Sequence, residues 1–244
     1  MPLFSRASPL KAPTILPFTY AIVRSARRRS ISIEISSAEV IVRAPFFVAA
    51  ADLEKFVRAK SVWVQQKLVQ QAQQLSVIPQ RLYTTGSELP FLGQTLTLVV
   101  NKQAQANVVQ LGTQLLVGLS SRSRLTDEEQ ARRLVSLWYQ RQALYFLTLK
   151  TDAAVRILGL KYTEITIKVT RSKWGHCTTR GALQYNWQIF LAPEPIVDYL
   201  VAHEVSHLRH HNHSPAFWQL VASLCPDYKK HRTWLKANGL QLTL

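Results

Sequence analysis

Five of the seven histidines in this 244-residue chain fall between His203 and His213. Their spacing restricts what the last part of the chain can form. His203 and His207 are four residues apart. Positions i and i+4 share one face of a helix, so both imidazoles can reach one ion. Glu204 follows the first of them, giving HEVSH. In this pattern two histidines ligate a metal and the carboxylate serves as general base. The preceding IVDYLVA is apolar at helical spacing, so the motif requires a buried helix, and Pro195 suits that helix's first turn. With so few histidines and glutamates, on the order of 0.01 such matches would arise by chance.

A catalytic metal site needs three protein ligands and one open position. The third ligand must come from beyond the helix. His213 completes the spacing H-x3-H-x5-H and lies between Asn212 and Ser214, residues that stop helices readily. Pro215 then starts the next helix. His210 is the rival, but on a continued helix it would lie about 4.5 Å further along the axis than His207. Three ligands on one rigid helix close a tetrahedron poorly. The reading is therefore one Zn2+ ion on His203, His207 and His213, with Glu204 catalytic and His210 and His211 at the surface or in support. No acid or cysteine lies close in sequence to close the site as a purely structural one. A developing oxyanion would need a donor. Tyr228, His231 and His176 are the candidates, and the sequence does not choose among them.

The rest of the chain supplies the frame. Residues 1–19 are proline-rich and read as an irregular lead-in. The stretch TYAIVRSARRRSISIEIS holds two β-prone runs, and AEVIVRAP a third, which together suggest a small antiparallel sheet. Residues 50–75 repeat their apolar positions at three and four, as one amphipathic helix would. Two further hairpins follow, the second turning near Gly112 and Thr113. Residues 20–122 thus read as a β-rich unit with one inserted helix. Residues 123–244 read as the metal-binding domain. It opens with a long helix capped by Thr126 and Glu129 and running to Gly159. Then come a strand in YTEITIKVT, a loop in RSKWGHCTTRG, a strand in ALQYNWQIFLAP, the metal helix, and two last helices divided at Pro226.

Charge and cysteine usage bound the setting. There are 30 Lys+Arg against 14 Asp+Glu, a formal net charge of +16. Such an excess draws polyanions: nucleic acid, nucleotides or an anionic membrane surface. Arg24, Arg27, Arg28 and Arg29 form the densest candidate contact. No DNA-reading motif accompanies them, and no aromatics interleave with the run. The two cysteines, Cys177 and Cys225, form no CxxC pair, which fits a reducing cytoplasm. The apolar part of the N-terminus is broken by Pro13 and Pro17, and no run reaches the ~18 apolar residues of a membrane span. A cytoplasmic protein without a transmembrane segment is expected.

Several segments together resemble a known family. KWGHC (Lys173–Cys177), LQYNWQIFLAP, VDYLVAHEVSHLRHHNHSPAFW and PDYKKHRTWLK, with RRRSISIEI and VIVRAP nearer the N-terminus, resemble the YgjP-like metallopeptidases, relatives of SprT-type zinc proteins. The likeness runs roughly from Ala21 to Leu240. It implies an α+β fold: a zincin-like C-terminal metallopeptidase domain with an N-terminal antiparallel β-rich unit. It also implies the same ligands and the same catalytic carboxylate as the spacing. One departure stands out, because His176 occupies a position where the family usually has serine. The resemblance further implies that Ala182–Phe190, with Tyr185, Asn186 and Trp187, pairs with an extended peptide substrate. SprT-like relatives act on DNA-bound proteins, which gives the basic charge one purpose. Family members have also been associated with UTP pyrophosphate cleavage, so a nucleotide hydrolase is the alternative. A nucleic-acid-binding module with a non-catalytic metal site comes third.

Overall fold

The computed structural model describes residues 16–36, 39–76, 78–170 and 173–244. Most of the expected lead-in, residues 1–15, lies outside them. The chain is α+β and divides into two compact units after residue 77.

In the first unit, β1 (Ala21–Ser25), β2 (Ser32–Ser36) and β3 (Glu39–Pro45) form a sheet, followed by α1 (Ala50–Ala59) and α2 (Ser61–Ser76). The expected single helix is two, parted at Lys60, whose ψ of 5° leaves the helical region. Leu53 and Val57, one turn apart on α1, are fully buried in a small core with Val42 and Ala44 of β3. The sheet is not purely antiparallel. β3 lies between the other two, antiparallel to β2 and parallel to β1. The chain reverses twice between β1 and β3, so a third strand inserted between the first two must run with the first.

The second unit begins with β4 (Glu88–Phe91), β5 (Gln94–Gln103), β6 (Asn107–Leu111) and β7 (Gln114–Ser120). Here β7 is inserted between β5 and β6 and runs parallel to β5. The expected boundary at 122/123 falls inside this unit. The reason is packing: Leu96, Leu98, Leu115 and Val117 share one core with Val135, Tyr139 and Leu200 from the following helices. The long helix α3 (Asp127–Leu158) carries that core. Its capping box is complete, with Thr126 Oγ1 accepting from the Glu129 amide at 3.2 Å and the Glu129 carboxylate accepting from the Thr126 amide at 2.9 Å. Gly159, at φ 62°, closes it in the left-handed region.

The third sheet positions the site. It contains β8 (Glu164–Lys168), β9 (Gly175–Cys177) and β10 (Ala182–Asn186) in the order β8-β10-β9, the same insertion again. β9 lies in a segment expected to be a loop. The expected strand through Phe190 ends at Asn186, where a 3-10 turn over Trp187–Leu191 takes over. The Asn186 side chain starts that turn by accepting from the Gln188 amide at 3.1 Å. α4 (Glu194–Ser206), α5 (Pro215–Leu224) and α6 (Tyr228–Asn238) follow. Nearly every side chain of α4 from Ile196 to Ser206 is buried, because α3, α5, α6 and β9 all pack on it. Lys150 of α3 ties its start, reaching Glu194 at 2.7 Å and Asp198 at 2.6 Å. Among the described residues, no helix is long and apolar enough to cross a membrane.

Candidate metal centre

α4 stops at Ser206, and His207 is its C-cap. The chain then turns through residues 207–212 until Ser214 caps α5, accepting from the Phe217 amide at 3.4 Å. This turn returns His213 to the face that carries His203 and His207. Ligand nitrogens of these three residues all lie within 4.8 Å of one another, and among the described residues they are the one group that could hold a metal ion. Nε2 of His203 and Nε2 of His213 are 3.2 Å apart. Two imidazoles on a tetrahedral ion at ~2.0–2.1 Å would stand about 3.3 Å apart, so the donor set fits.

The protonation chemistry fits as well. Metal ligation needs neutral imidazole. Burial first, and then the charges of His207, His213 and Arg232, push the His203 ring down to about 3. Burial likewise lowers His207. His207 Nδ1 lies 2.9 Å from the His210 carbonyl. Donating there leaves Nε2 with its lone pair turned to the cluster. His210 thus contributes a main-chain oxygen, and its ring is not part of the cluster. Phe217, fully buried, packs edge-on against His203 and His213 with ring centroids 5.0 and 4.8 Å away.

Glu204 is 3 % exposed, and its Oε2 has no hydrogen-bond partner. Burial pushes its carboxyl up to about 8, opposed by Lys173. An acid on a buried helix without a partner is rare unless it works. β9 explains how it fits. A Cβ added at Gly175 would lie 2.4 Å from Glu204 Oε1. Only glycine lets the strand backbone pass this close to the carboxylate. Cys177, two residues on and on the same face of β9, has its thiol pushed up to about 11, by burial and then by Glu204.

The other expected residues fall in different places. β10 is hydrogen-bonded on both sides, by β8 and by β9, and has no free edge for a peptide. Tyr185 is fully buried with its hydroxyl 3.0 Å from Thr151 Oγ1. Asn186 donates to the Thr170 carbonyl at 3.2 Å, and Trp187 is buried in the 3-10 turn. All three build the core, which overturns their expected role at the substrate. The strand beside Glu204 with an edge unpaired among the described residues is β9. His176 is exposed on β9 and lies outside the nitrogen cluster. Tyr228 stacks on Trp218 at 5.2 Å, and His231 is half-buried one turn later on α6. Trp218 in turn stacks on His213 at 5.6 Å. Arg24 donates to the carbonyls of Pro45, Phe46 and Val48 at 3.2, 3.0 and 2.7 Å. Arg28 donates to Ser32 and pairs with Glu34. These two arginines stabilise their own unit, while Arg27 and Arg29 are exposed.

Fold and site together define an α+β chain with three convergent imidazoles beside a buried carboxylate, the equipment of a metallohydrolase. Residues 29–238 match the family described as YgjP-like, metallopeptidase domain, and the chain belongs to that family. A solved structure, the metallopeptidase zymogen of Pyrococcus abyssi abylysin, is similar over 37 % of this chain and 92 % of its own, at 20 % identity and a TM-score of 0.35. No curated protein matches the chain.

Proposed function

We propose that the chain is a zinc-dependent peptidase of zincin-like arrangement, working in the cytoplasm. The observation that carries this is the buried, unpartnered Glu204 carboxylate on the same helix as two of the three convergent imidazoles. His203, His207 and His213 would hold one Zn2+. When bound, that ion supplies a Lewis acid that acidifies water and polarises the scissile carbonyl. Glu204 takes the proton of the attacking water on Oε2 and returns it to the leaving amine. The nearby backbone of β9 excludes bulk water from that carboxylate and fixes its rotamer. An extended peptide would add along the open edge of β9, since both edges of β10 are taken. Tyr228 on the α6 side is our preferred oxyanion donor, because it is held rigidly against Trp218.

The free thiols of Cys177 and Cys225 suit a reducing compartment. A nucleotide hydrolase is the second reading. Three cationic side chains lining a cavity next to Trp218 favour it. The deciding experiment compares zinc-loaded wild type with Glu204→Gln on an unfolded protein, with and without single-stranded DNA, and on UTP. The expected result is protein cleavage by wild type that falls at least ~100-fold in the variant, which keeps its ion. UTP turnover without protein cleavage would install the second reading. Equal activity in both proteins would remove Glu204 from the mechanism.

A further inference from the structure

Lys229, Arg232, Thr233 and Lys236 are spaced by three, one and three along α6, so they share one helical face. That face lines a cavity of about 420 Å³ with Trp218 and Tyr228 as its aromatic wall. The cavity adjoins the metal centre through Trp218, whose ring lies 5.6 Å from His213 and 5.8 Å from His203. Arg232 also adjoins it, with its guanidinium carbon 4.7 Å from the Trp218 ring centroid and its charge felt at His203. No acid lines the cavity, and among the described residues none of its three cations forms an ion pair. The neighbouring Lys230, off this face, is paired with Asp227 at 3.1 Å. The unpaired cations of α6 therefore share the one face of that helix that lines the cavity.

We propose that this cavity is an anion subsite that reads a carboxylate on the peptide substrate, either an acidic side chain near the scissile bond or the free C-terminus. The inference rests on the peptidase reading above and adds a substrate preference to it. A guanidinium packed on an indole keeps its N–H donors free at the edge, where a planar carboxylate can accept two of them. Lys229 and Lys236, one turn away on either side, add charge without a fixed geometry. A carboxylate is the anion that a peptide substrate carries, so it is the ligand this subsite would meet beside the metal centre.

Two measurements test this on the zinc-loaded full chain. In the first, the Trp218 indole N–H resonance, assigned with Trp218→Phe, is titrated with N-acetyl-glutamate α-amide, N-acetyl-glutamine, N-acetyl-glutamine amide and inorganic phosphate. The first carries only a side-chain carboxylate, the second only a terminal one, and the third neither. One of the two carboxylates should bind at least ~10-fold more tightly than the diamide, and Arg232→Ala/Lys236→Ala should abolish that preference while keeping its ion. Which carboxylate wins identifies the source. Equal binding of all three would overturn the subsite. So would carboxylate binding unchanged in the double variant, since that marks ligation of the ion alone. Tighter binding of phosphate would overturn the carboxylate as its ligand. In the second, a mixed peptide library is digested and its cleavage sites are mapped. Wild type should enrich Asp and Glu at one fixed offset, or fragments at a fixed distance from the C-terminus, and the double variant should cut without that preference. Cleavage by wild type with no acidic preference would overturn the subsite. A library left intact would overturn the peptidase reading, and the titration would still decide the subsite.

Discussion

Two stretches concentrate the chain's positive and imidazole groups, and they treat their hydrogen-bonding capacity in opposite ways. In the first unit, Arg24 donates to three carbonyls, and Arg28 and Arg43 both reach Glu34. Their charges are used to hold a hairpin and the β3–α1 loop in place. In the second unit, His203 Nδ1 and Glu204 Oε2 are buried without partners. Lys229, Arg232 and Lys236 are exposed, line one cavity and form no ion pair among the described residues. Density of charge is similar in the two stretches, so density does not mark the site. Buried capacity left unsatisfied on the helix that carries two of the three convergent imidazoles does, at His203 Nδ1 and Glu204 Oε2, because burying a polar group without a partner costs stability and persists where a ligand supplies the partner.

The contrast can be broken by showing that both stretches respond alike to substitution. The largest effect is expected for His213→Ala, which removes the one ligand supplied by the turn. Zinc affinity should fall at least ~100-fold, as metal analysis after dialysis would show, while His210→Ala keeps the ion because its ring is not in the cluster. Next comes Gly175→Ala. The new methyl meets the Glu204 carboxylate within 2.4 Å and must displace it, so kcat should drop about 100-fold with zinc content unchanged. In the first unit the readout should reverse. Arg24→Ala leaves part-buried carbonyls short of a donor and should lower the unfolding free energy by about 0.5–1.5 kcal/mol in urea, with kcat/KM unchanged in the fraction that remains folded. The smallest effect is expected for Arg27→Ala/Arg29→Ala. Stability should change by less than about 0.5 kcal/mol. If these arginines do contact single-stranded DNA, the slope of log affinity on log salt should flatten by about 1.4. A loss of activity from Arg24→Ala, or a loss of stability from Gly175→Ala with activity retained, would end the distinction.

The thiol of Cys177 sharpens the comparison by pH. Its folded value of about 11 lies above the ordinary thiol, so the reactive thiolate is scarce below that pH. Iodoacetamide labelling of Cys177, followed by mass spectrometry, should remain slow at pH 8 and accelerate only as pH approaches 11. Fast labelling at pH 8 would mean that β9 does not shelter this face.

Much of the site was legible because its signals are local. The i, i+4 spacing of His203 and His207 is helix geometry. The stop at Asn212–Ser214 ahead of Pro215 is turn and cap chemistry, and it is enough to bring His213 back. Thr126 with Glu129, and Gly159, marked the ends of α3 for the same reason. The errors about which surfaces meet were non-local. Tyr185 and Trp187 read equally well as substrate contacts or as core, and only the pairing of β10 on both sides makes them core. β9 is three residues long, too short for any alternation to show. The spacing of Lys229, Arg232 and Lys236 was visible along the chain, but nothing there showed that this face borders Trp218.

The sequence by itself determined the helix that carries His203 and His207, its carboxylate and the return of the third histidine, because each depends on periodicity or on a cap within a dozen residues. Tertiary structure decided which strand lies between which, where the chain divides, why Gly175 must be glycine, and which cations remain without partners. Those properties arise when segments far apart in sequence compete for the same edge, the same core or the same counter-ion. In all three sheets the winner was a later strand, inserted between two earlier ones; no spacing along the chain records that outcome.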